Sequence, residues 1–164
     1  MEQTMWTVMS APIEDLRVVA RDGAITAIEF SPFRPPGDGL PLGERDDDHA
    51  LLREATAQLT AYFDRDLKEF DLPLAPVGSA FQQRVWEQLR GIPYGETTSY
   101  GVIAHRLGMT NAASRAVGLA NGRNPIPIVI PCHRVIGANG TLTGYAGGLP
   151  RKQALLELEQ DALF

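Results

Sequence analysis

Asn124-Pro-Ile-Pro-Ile-Val-Ile-Pro-Cys-His-Arg-Val135 sets the only cysteine of a 164-residue chain in a stiff, largely apolar run. Pro125, Pro127 and Pro131 each fix φ and remove a backbone donor, which excludes a helix interior or a central strand and predicts a buried, extended segment. Buried irregular backbone leaves donors and acceptors without ladder partners. The Asn124 carboxamide offers both kinds, so it is the candidate brace of this turn. A lone cysteine is most simply a small core hydrophobe. Here His133 and Arg134 adjoin Cys132, and nearby positive charge favours a thiolate, which makes this residue the candidate nucleophile.

Charge divides the chain near Gly78. The net charge is -5, but residues 1–77 hold 7 Lys+Arg against 15 Asp+Glu, a net of -8, whereas residues 78–164 hold 8 against 5, a net of +3. Only the second half suits a phosphate backbone. The Pro73-Leu-Ala-Pro-Val-Gly78 tract is the expected boundary, giving an N-terminal domain over 1–77 and a C-terminal domain over 78–164. At 44% hydrophobic the chain can bury a core. Its apolar runs are short and broken by proline, so no membrane span is expected. Met1-Glu-Gln-Thr-Met-Trp6 lacks the basic and apolar regions of a secretory signal, one cysteine forms no internal disulfide, and a reducing cytoplasm is the expected setting.

In the N-terminal half, Trp6-Thr-Val-Met9, Leu16-Arg-Val-Val19 and Ile25-Thr-Ala-Ile-Glu-Phe30, with a turn at Asp22-Gly23, predict a small antiparallel meander. Residues 31–48 form a long polar loop whose end, Asp46 to His49, is a solvated helix start rather than a metal site. Leu51, Leu52, Ala55, Leu59, Tyr62 and Phe63 recur at helical spacing between about Asp48 and Arg65, and Phe70-Asp-Leu72 is a candidate strand.

In the C-terminal half, Ser79 caps a helix running to about Arg90, with Phe81, Val85, Trp86 and Leu89 inward. A second helix is expected from Ser99 to Leu107, capped by Thr98, and a third from Ala112 to Ala120, closed by Asn121-Gly122. Two short helices about a turn at Gly108 suggest a helix-turn-helix, whose second helix meets DNA. Ala112, Ala113, Ala116, Gly118 and Ala120 keep that helix thin. Asn139-Gly140 predicts a hairpin between Val135-Ile136 and Leu142. Pro150 opens a last helix with Ala154, Leu155 and Leu158 inward. His105 is expected to be exposed, and no metal or cofactor set is evident.

Pro131-Cys-His-Arg-Val135, preceded by Asn124-Pro125 and Arg115-Ala-Val-Gly118 and followed by Gly144-Tyr145, resembles the O6-alkylguanine-DNA alkyltransferases over roughly residues 78–160. The resemblance implies an α+β chain: a small N-terminal ribonuclease H-like α/β domain without catalytic carboxylates, then a mainly helical, winged helix-turn-helix-like C-terminal domain. It also implies a DNA repair protein that moves the alkyl group from O6-alkylguanine, and O4-alkylthymine, in double-stranded DNA irreversibly to Cys132, in a single turnover and without a cofactor.

Residue by residue, the resemblance makes His133 the base acting through a water and Glu159 the group orienting its imidazole. Tyr100 hydrogen-bonds the departing guanine. Arg115 enters the base stack where the damaged nucleotide has been flipped into the protein from the minor groove, with Ser114, Ala116 and Thr98 also on DNA. Val135 and Cys132 offer backbone carbonyls to the guanine amino group, and Tyr145, Ala146 and Gly147 line the pocket, Ala146 standing where some relatives have serine. The expected state is a monomer, with cooperative clustering on DNA left open. The other classes weighed are a non-catalytic sensor of alkylated bases, against which Cys132 argues, and a cysteine hydrolase, for which no oxyanion hole is evident.

Overall fold

A computed structural model of the chain describes residues 3–33, 43–140, 145 and 147–161. It divides into two compact units, Met1–Val77 and Gly78–Phe164.

The first unit is a four-stranded sheet in which the third strand of the chain pairs with the second, the second with the first and the first with the fourth. Strands β1 (Thr4–Met9), β2 (Leu16–Arg21) and β3 (Ala24–Phe30) form the antiparallel meander, and β4 (Glu44–Arg45) adds to β1 in parallel. The tight β2–β3 connection needs left-handed backbone at both central residues, and Asp22 (φ 52°) and Gly23 (φ 80°) supply it. Helix α1 (Ala50–Phe63) turns Leu52, Ala55, Leu59, Tyr62 and Phe63 inward, as helical spacing predicts, whereas Leu51, expected in the same stripe, is only half-buried. The expected strand at Phe70-Asp-Leu72 does not form. Instead the Gln58 side chain of α1 takes both backbone groups of Asp71, at 2.9 and 3.0 Å, leaving no ladder to extend. Only Leu74 bridges to Ile25 of β3. Residues 34–42, half of the loop expected over 31–48, lie outside the described residues.

The second unit is helical around a two-stranded parallel pair. Helix α2 (Ala80–Arg90) begins at a reciprocal cap: Ser79 Oγ accepts from Gln82 N at 3.1 Å and Gln82 Oε1 accepts from Ser79 N at 2.9 Å. Val85, Trp86 and Leu89 are its buried residues; Phe81, expected inward as well, is only half-buried. The next helix, α3 (Tyr100–Arg106), is capped by Ser99, not Thr98. The reason is pairing, since Thr98 and Ser99 form β5 and pair with Val135 and Ile136, the strand β6, so the helix starts after them. At its end Gly108, at φ 77°, and Met109 donate to His105 and Ala104 carbonyls, the double bond that stops a helix at a left-handed residue.

A 3-10 turn over Asn111–Ala113 then leads into α4 (Ser114–Gly122), which completes the helix-turn-helix. Asn121 and Gly122 belong to α4 rather than closing it, and Arg123 caps it. The last helix, α5 (Leu149–Asp161), faces inward with Lys152, Leu155 and Glu159, whereas Ala154 is exposed and Leu158 half-buried. Leu142, the far side of the expected hairpin, lies outside the described residues. Among the described residues no helix is long and apolar enough to cross a membrane.

Candidate active site

The cysteine segment is buried but not extended. Residues 124–131 fold into successive turns closed by Ile130 N donating to Ile126 O at 2.9 Å. Proline's φ suits a turn as well as an extended chain, and with no strand alongside, the backbone satisfies itself locally. Ile128 takes φ 75°. For a β-branched residue that backbone costs roughly 1–3 kcal/mol. It persists because Ile126, Ile128 and Ile130 are anchored in the core. Asn124 ties the loop: Nδ2 donates to Ile130 O at 2.7 Å, Oδ1 accepts from Ile126 N at 3.0 Å, and the side chain also hydrogen-bonds the Cys132 thiol.

Cys132, His133 and Arg134 form one 3-10 turn leading into β6, and all three are buried. Successive residues of such a turn point about 120° apart. His133 and Arg134 therefore meet Glu159 of α5 rather than the sulfur. His133 Nε2 lies 2.6 Å from Glu159 Oε2, Arg134 Nε donates to Oε1 at 2.9 Å and its Nη2 to Oε2 at 2.9 Å. Arg134 Nη1 reaches Ile92 O at 2.7 Å, and Gly95 N gives Glu159 Oε1 a further hydrogen bond at 3.2 Å. Gln160 holds that loop through Gly95 O at 2.9 Å.

Protonation follows from this packing. Burial raises the Glu159 carboxyl, but the hydrogen bond from His133, with the charge that this histidine carries at acid pH, then the hydrogen bond and charge of Arg134, outweigh it and hold it at about 2. Glu159 is thus a carboxylate, which only accepts, so the hydrogen between it and His133 belongs to Nε2. Burial, with the charges of Arg134 and Lys152, keeps His133 below the ordinary histidine value against the pull of Glu159. A neutral His133 with its hydrogen on Nε2 has its lone pair on Nδ1, and that buried nitrogen has no hydrogen-bond partner among the described residues. The arrangement is a base held ready. Cys132 itself is the reverse of the expectation from its neighbours: burial pushes the thiol up to about 11, against the Asn124 hydrogen bond and the Lys152 charge. The resting site holds a thiol, not a thiolate.

Glu159, His133, Cys132 and Asn124 are thus brought together, and Tyr100 stands nearby at the start of α3, packed so that a Cβ on Gly118 would lie 3.7 Å from its ring. Arg115 and Ala116 are exposed on α4, Ser114 and Thr98 half-buried. Ser99, Tyr100, His105, Asn111, Ser114 and Ala138 border an open cleft of about 290 Å³. His105 is exposed, with a ring nitrogen 3.0 Å from Asn111 Oδ1. Val135 and Tyr145 are buried and Gly147 half-buried; Ala146 lies outside the described residues.

Spacing alone does not disclose Asn121, Arg134 and Lys152. Lys152 Nζ donates to Val135 O at 2.6 Å, and Cys132 O accepts from Asn121 Nδ2 at 3.4 Å and from Val135 N, so both carbonyls assigned to a ligand are already held in place. One signal was available: between Glu96 and Glu157 the chain has no Asp or Glu, while it has Arg106, Arg115, Arg123, Arg134, Arg151 and Lys152. The positive charge is concentrated around the helix-turn-helix and the cysteine. Among the described residues no group of three or more His, Cys, Asp or Glu could hold a metal ion.

Comparison with known proteins gives a consistent picture. Residues 4–76 match the 6-O-methylguanine DNA methyltransferase ribonuclease-like domain, and residues 80–161 the DNA binding domain of the same family. The chain is 51% identical to the methylated-DNA–protein-cysteine methyltransferase of Mycolicibacterium paratuberculosis over 93% of its length and 90% of that protein's. Its fold matches the crystal structure of the Mycobacterium tuberculosis O6-methylguanine methyltransferase with a TM-score of 0.87 at 45% identity, covering 99% of this chain and 94% of the other. It matches Mycobacterium tuberculosis OGT in complex with DNA with a TM-score of 0.86 at 46% identity, over 96% and 94% of the two chains.

Proposed function

The chain belongs to the 6-O-methylguanine DNA methyltransferase family, and from that membership we propose which of its residues carry out the repair. It is a methylated-DNA–protein-cysteine methyltransferase, a DNA-binding repair protein that acts by direct reversal. The acceptor is Cys132. The observation that carries this assignment is a lone buried thiol one residue from a neutral histidine, whose protonation is fixed by an ionised Glu159 clamped by Arg134.

The duplex is held from its minor groove by α3 and α4, with Thr98, Ser114 and Ala116 at the strands and Arg115 filling the stack left by the flipped nucleotide. The carbonyls of Cys132 and Val135 accept from the guanine amino group, and Tyr145, Ala146 and Gly147 close the pocket. The Cys132 Sγ attacks the alkyl carbon; the S–C bond forms as the C–O6 bond breaks, and that electron pair stays on the purine. The thiol proton passes through a water to His133 Nδ1. The Tyr100 hydroxyl donates to the purine as it leaves, and in sum the thiol hydrogen replaces the alkyl group. O4-alkylthymine enters by the same chemistry. The thioether has no leaving group for water, so the protein is consumed in one turnover, as a monomer in a reducing cytoplasm. Clustering of copies along DNA belongs to the same proposal.

Magnitudes assign the work. At an ordinary thiol value a few per cent is ionised at pH 7, and full ionisation would gain only roughly thirtyfold. With the thiol at about 11, the ionised fraction at pH 7 is about one in ten thousand. Proton removal by His133 thus counts for far more, and positioning and stabilisation of the purine supply the rest. Cys132→Ser tests the assignment: it should bind an O6-methylguanine duplex as tightly as the unaltered protein and accept no methyl. Retained transfer would reject Cys132.

A further inference from the structure

Helix α4 has one face committed to the site. Val117, Ala120 and Asn121 are buried, Trp86 Nε1 donates to Ala120 O at 2.8 Å, Gly118 faces the Tyr100 ring, and Asn121 holds the Cys132 carbonyl. The opposite face presents Arg115, Ala116, Leu119 and Arg123. Leu119 is 63% exposed, more than any other large apolar side chain among the described residues. It lies four residues from Arg115, hence on the same side of the helix one turn along. An otherwise small-residue helix thus carries one bulky apolar group between two arginines.

What covers that group follows from the charge around it. The acid-free stretch from residue 97 to 156 contains all of α3 and α4, so the surface beside Leu119 is complementary to a polyanion. A duplex that delivers a base to Cys132 must lie along the helix whose inner edge touches both Tyr100 and Cys132. The wall of the minor groove is built of deoxyribose, whose C–H faces offer an aliphatic side chain contact that phosphates do not. Resting on the function proposed above, we infer that Leu119 is a DNA-contacting residue: it packs against the sugars of the strand beside the nucleotide that Arg115 engages, adding an apolar component to binding and fixing how deep α4 seats. The arginines supply salt-sensitive affinity through counterion release. Leu119 supplies a part that salt leaves alone.

The test uses the full chain with Leu119→Ser and Arg123→Ala. Affinity for an O6-methylguanine duplex is measured across salt concentrations, with the rate of methyl uptake from duplex and from free O6-methylguanine base, and sedimentation of the free protein. Leu119→Ser should weaken duplex binding on the order of tenfold, about the effect of one aliphatic side chain no longer buried. It should leave the salt slope, the free-base rate and the thermal midpoint unchanged. Arg123→Ala should instead flatten the salt slope by about one. Duplex affinity untouched by Leu119→Ser, an equal loss on duplex and free base, or a change in sedimentation marking the patch as a contact between copies would each overturn the inference. If the unaltered protein takes no methyl from duplex or base, the assignment of Cys132 fails first, and the Leu119 proposal falls with it.

Discussion

Each unit contains an arginine–glutamate pair whose arginine is buried, and the two pairs are put to different uses. In the N-terminal sheet Arg17 and Glu29 face each other across β2 and β3, Nη2 to Oε2 at 2.7 Å and Nε to Oε1 at 3.3 Å, with the Arg17 guanidinium against the Phe33 and Trp6 rings at 5.0 and 5.9 Å. In the C-terminal unit Arg134 grips Glu159 with similar two-point geometry. What differs is the third partner. Glu29 is part-exposed at a sheet face and meets a cation among aromatic rings. Glu159 is fully buried and also holds a histidine, so the arginine that neutralises it acts together with burial to keep that histidine a neutral base. A buried ion pair is thus a weak sign of function; an ion pair sharing its carboxylate with a titratable group is a strong one.

Replacing each arginine sharpens the contrast. Arg134→Met leaves Glu159 buried without its neutralising charge and should cost roughly 3–5 kcal/mol in denaturant unfolding. Among molecules still folded, methyl uptake should fall on the order of a hundredfold. Its pH profile should also move: with the cation gone, Glu159 pulls a proton onto His133, so the acid limb shifts to higher pH. Arg17→Met should lower stability too, yet leave uptake per folded molecule unchanged. A slowed Arg17→Met protein, or an Arg134→Met protein with an unmoved acid limb, would break the comparison.

The depressed Glu159 carboxyl gives a second line of attack through pH. Its value in the fold is about 2 against an ordinary 4.5, so it stabilises the fold above pH 4.5 by roughly 3 kcal/mol. That contribution is lost as pH falls from 4.5 towards 2. Unfolding free energies measured over that interval should drop more steeply for the unaltered protein than for Glu159→Gln, and equal slopes would contradict the assignment. The buried thiol gives a third. Held at about 11 against an ordinary 9.0, Cys132 in the DNA-free protein should react with iodoacetamide at neutral pH about a hundredfold more slowly than an ordinary thiol. A fast reaction would mean the resting site already contains thiolate. The smallest expected effect lies on the exposed face: Arg115→Ala should slow repair of duplex on the order of tenfold while sparing reaction with free O6-methylguanine base. Equal losses on both would remove Arg115 from base flipping.

Much of the fold was legible because apolar spacing is strict where elements are long. The stripe from Leu52 to Phe63 and the caps at Ser79 and Gly108 follow from local chemistry alone. The departures occur where tertiary partners decide. Thr98 is as good a cap as Ser99 by residue type, but the pairing of both residues with Val135 and Ile136 keeps them extended, so the helix starts at Tyr100 and the residue just before it caps. In α5 the apolar positions suggested Ala154, Leu155 and Leu158, whereas the inward side is Lys152, Leu155 and Glu159. Two charged residues face inward there because Val135 O, Arg134 and His133 satisfy them, and those partners are distant in the chain. The same distance hid the use of Arg134. Adjacency placed its charge beside Cys132, but the 3-10 turn aims it at Glu159, and the sulfur is left in a desolvated setting that raises rather than lowers its proton affinity.

The central claim is that one sulfur, Cys132, is the acceptor. Incubating the protein with an O6-methylguanine duplex and measuring intact mass, followed by peptide mapping, tests this most directly. The account predicts the mass of a single added methylene per chain, located on Cys132, with no further increase in excess duplex. An unchanged mass after the duplex has been repaired, or the added group on any other residue, would contradict it.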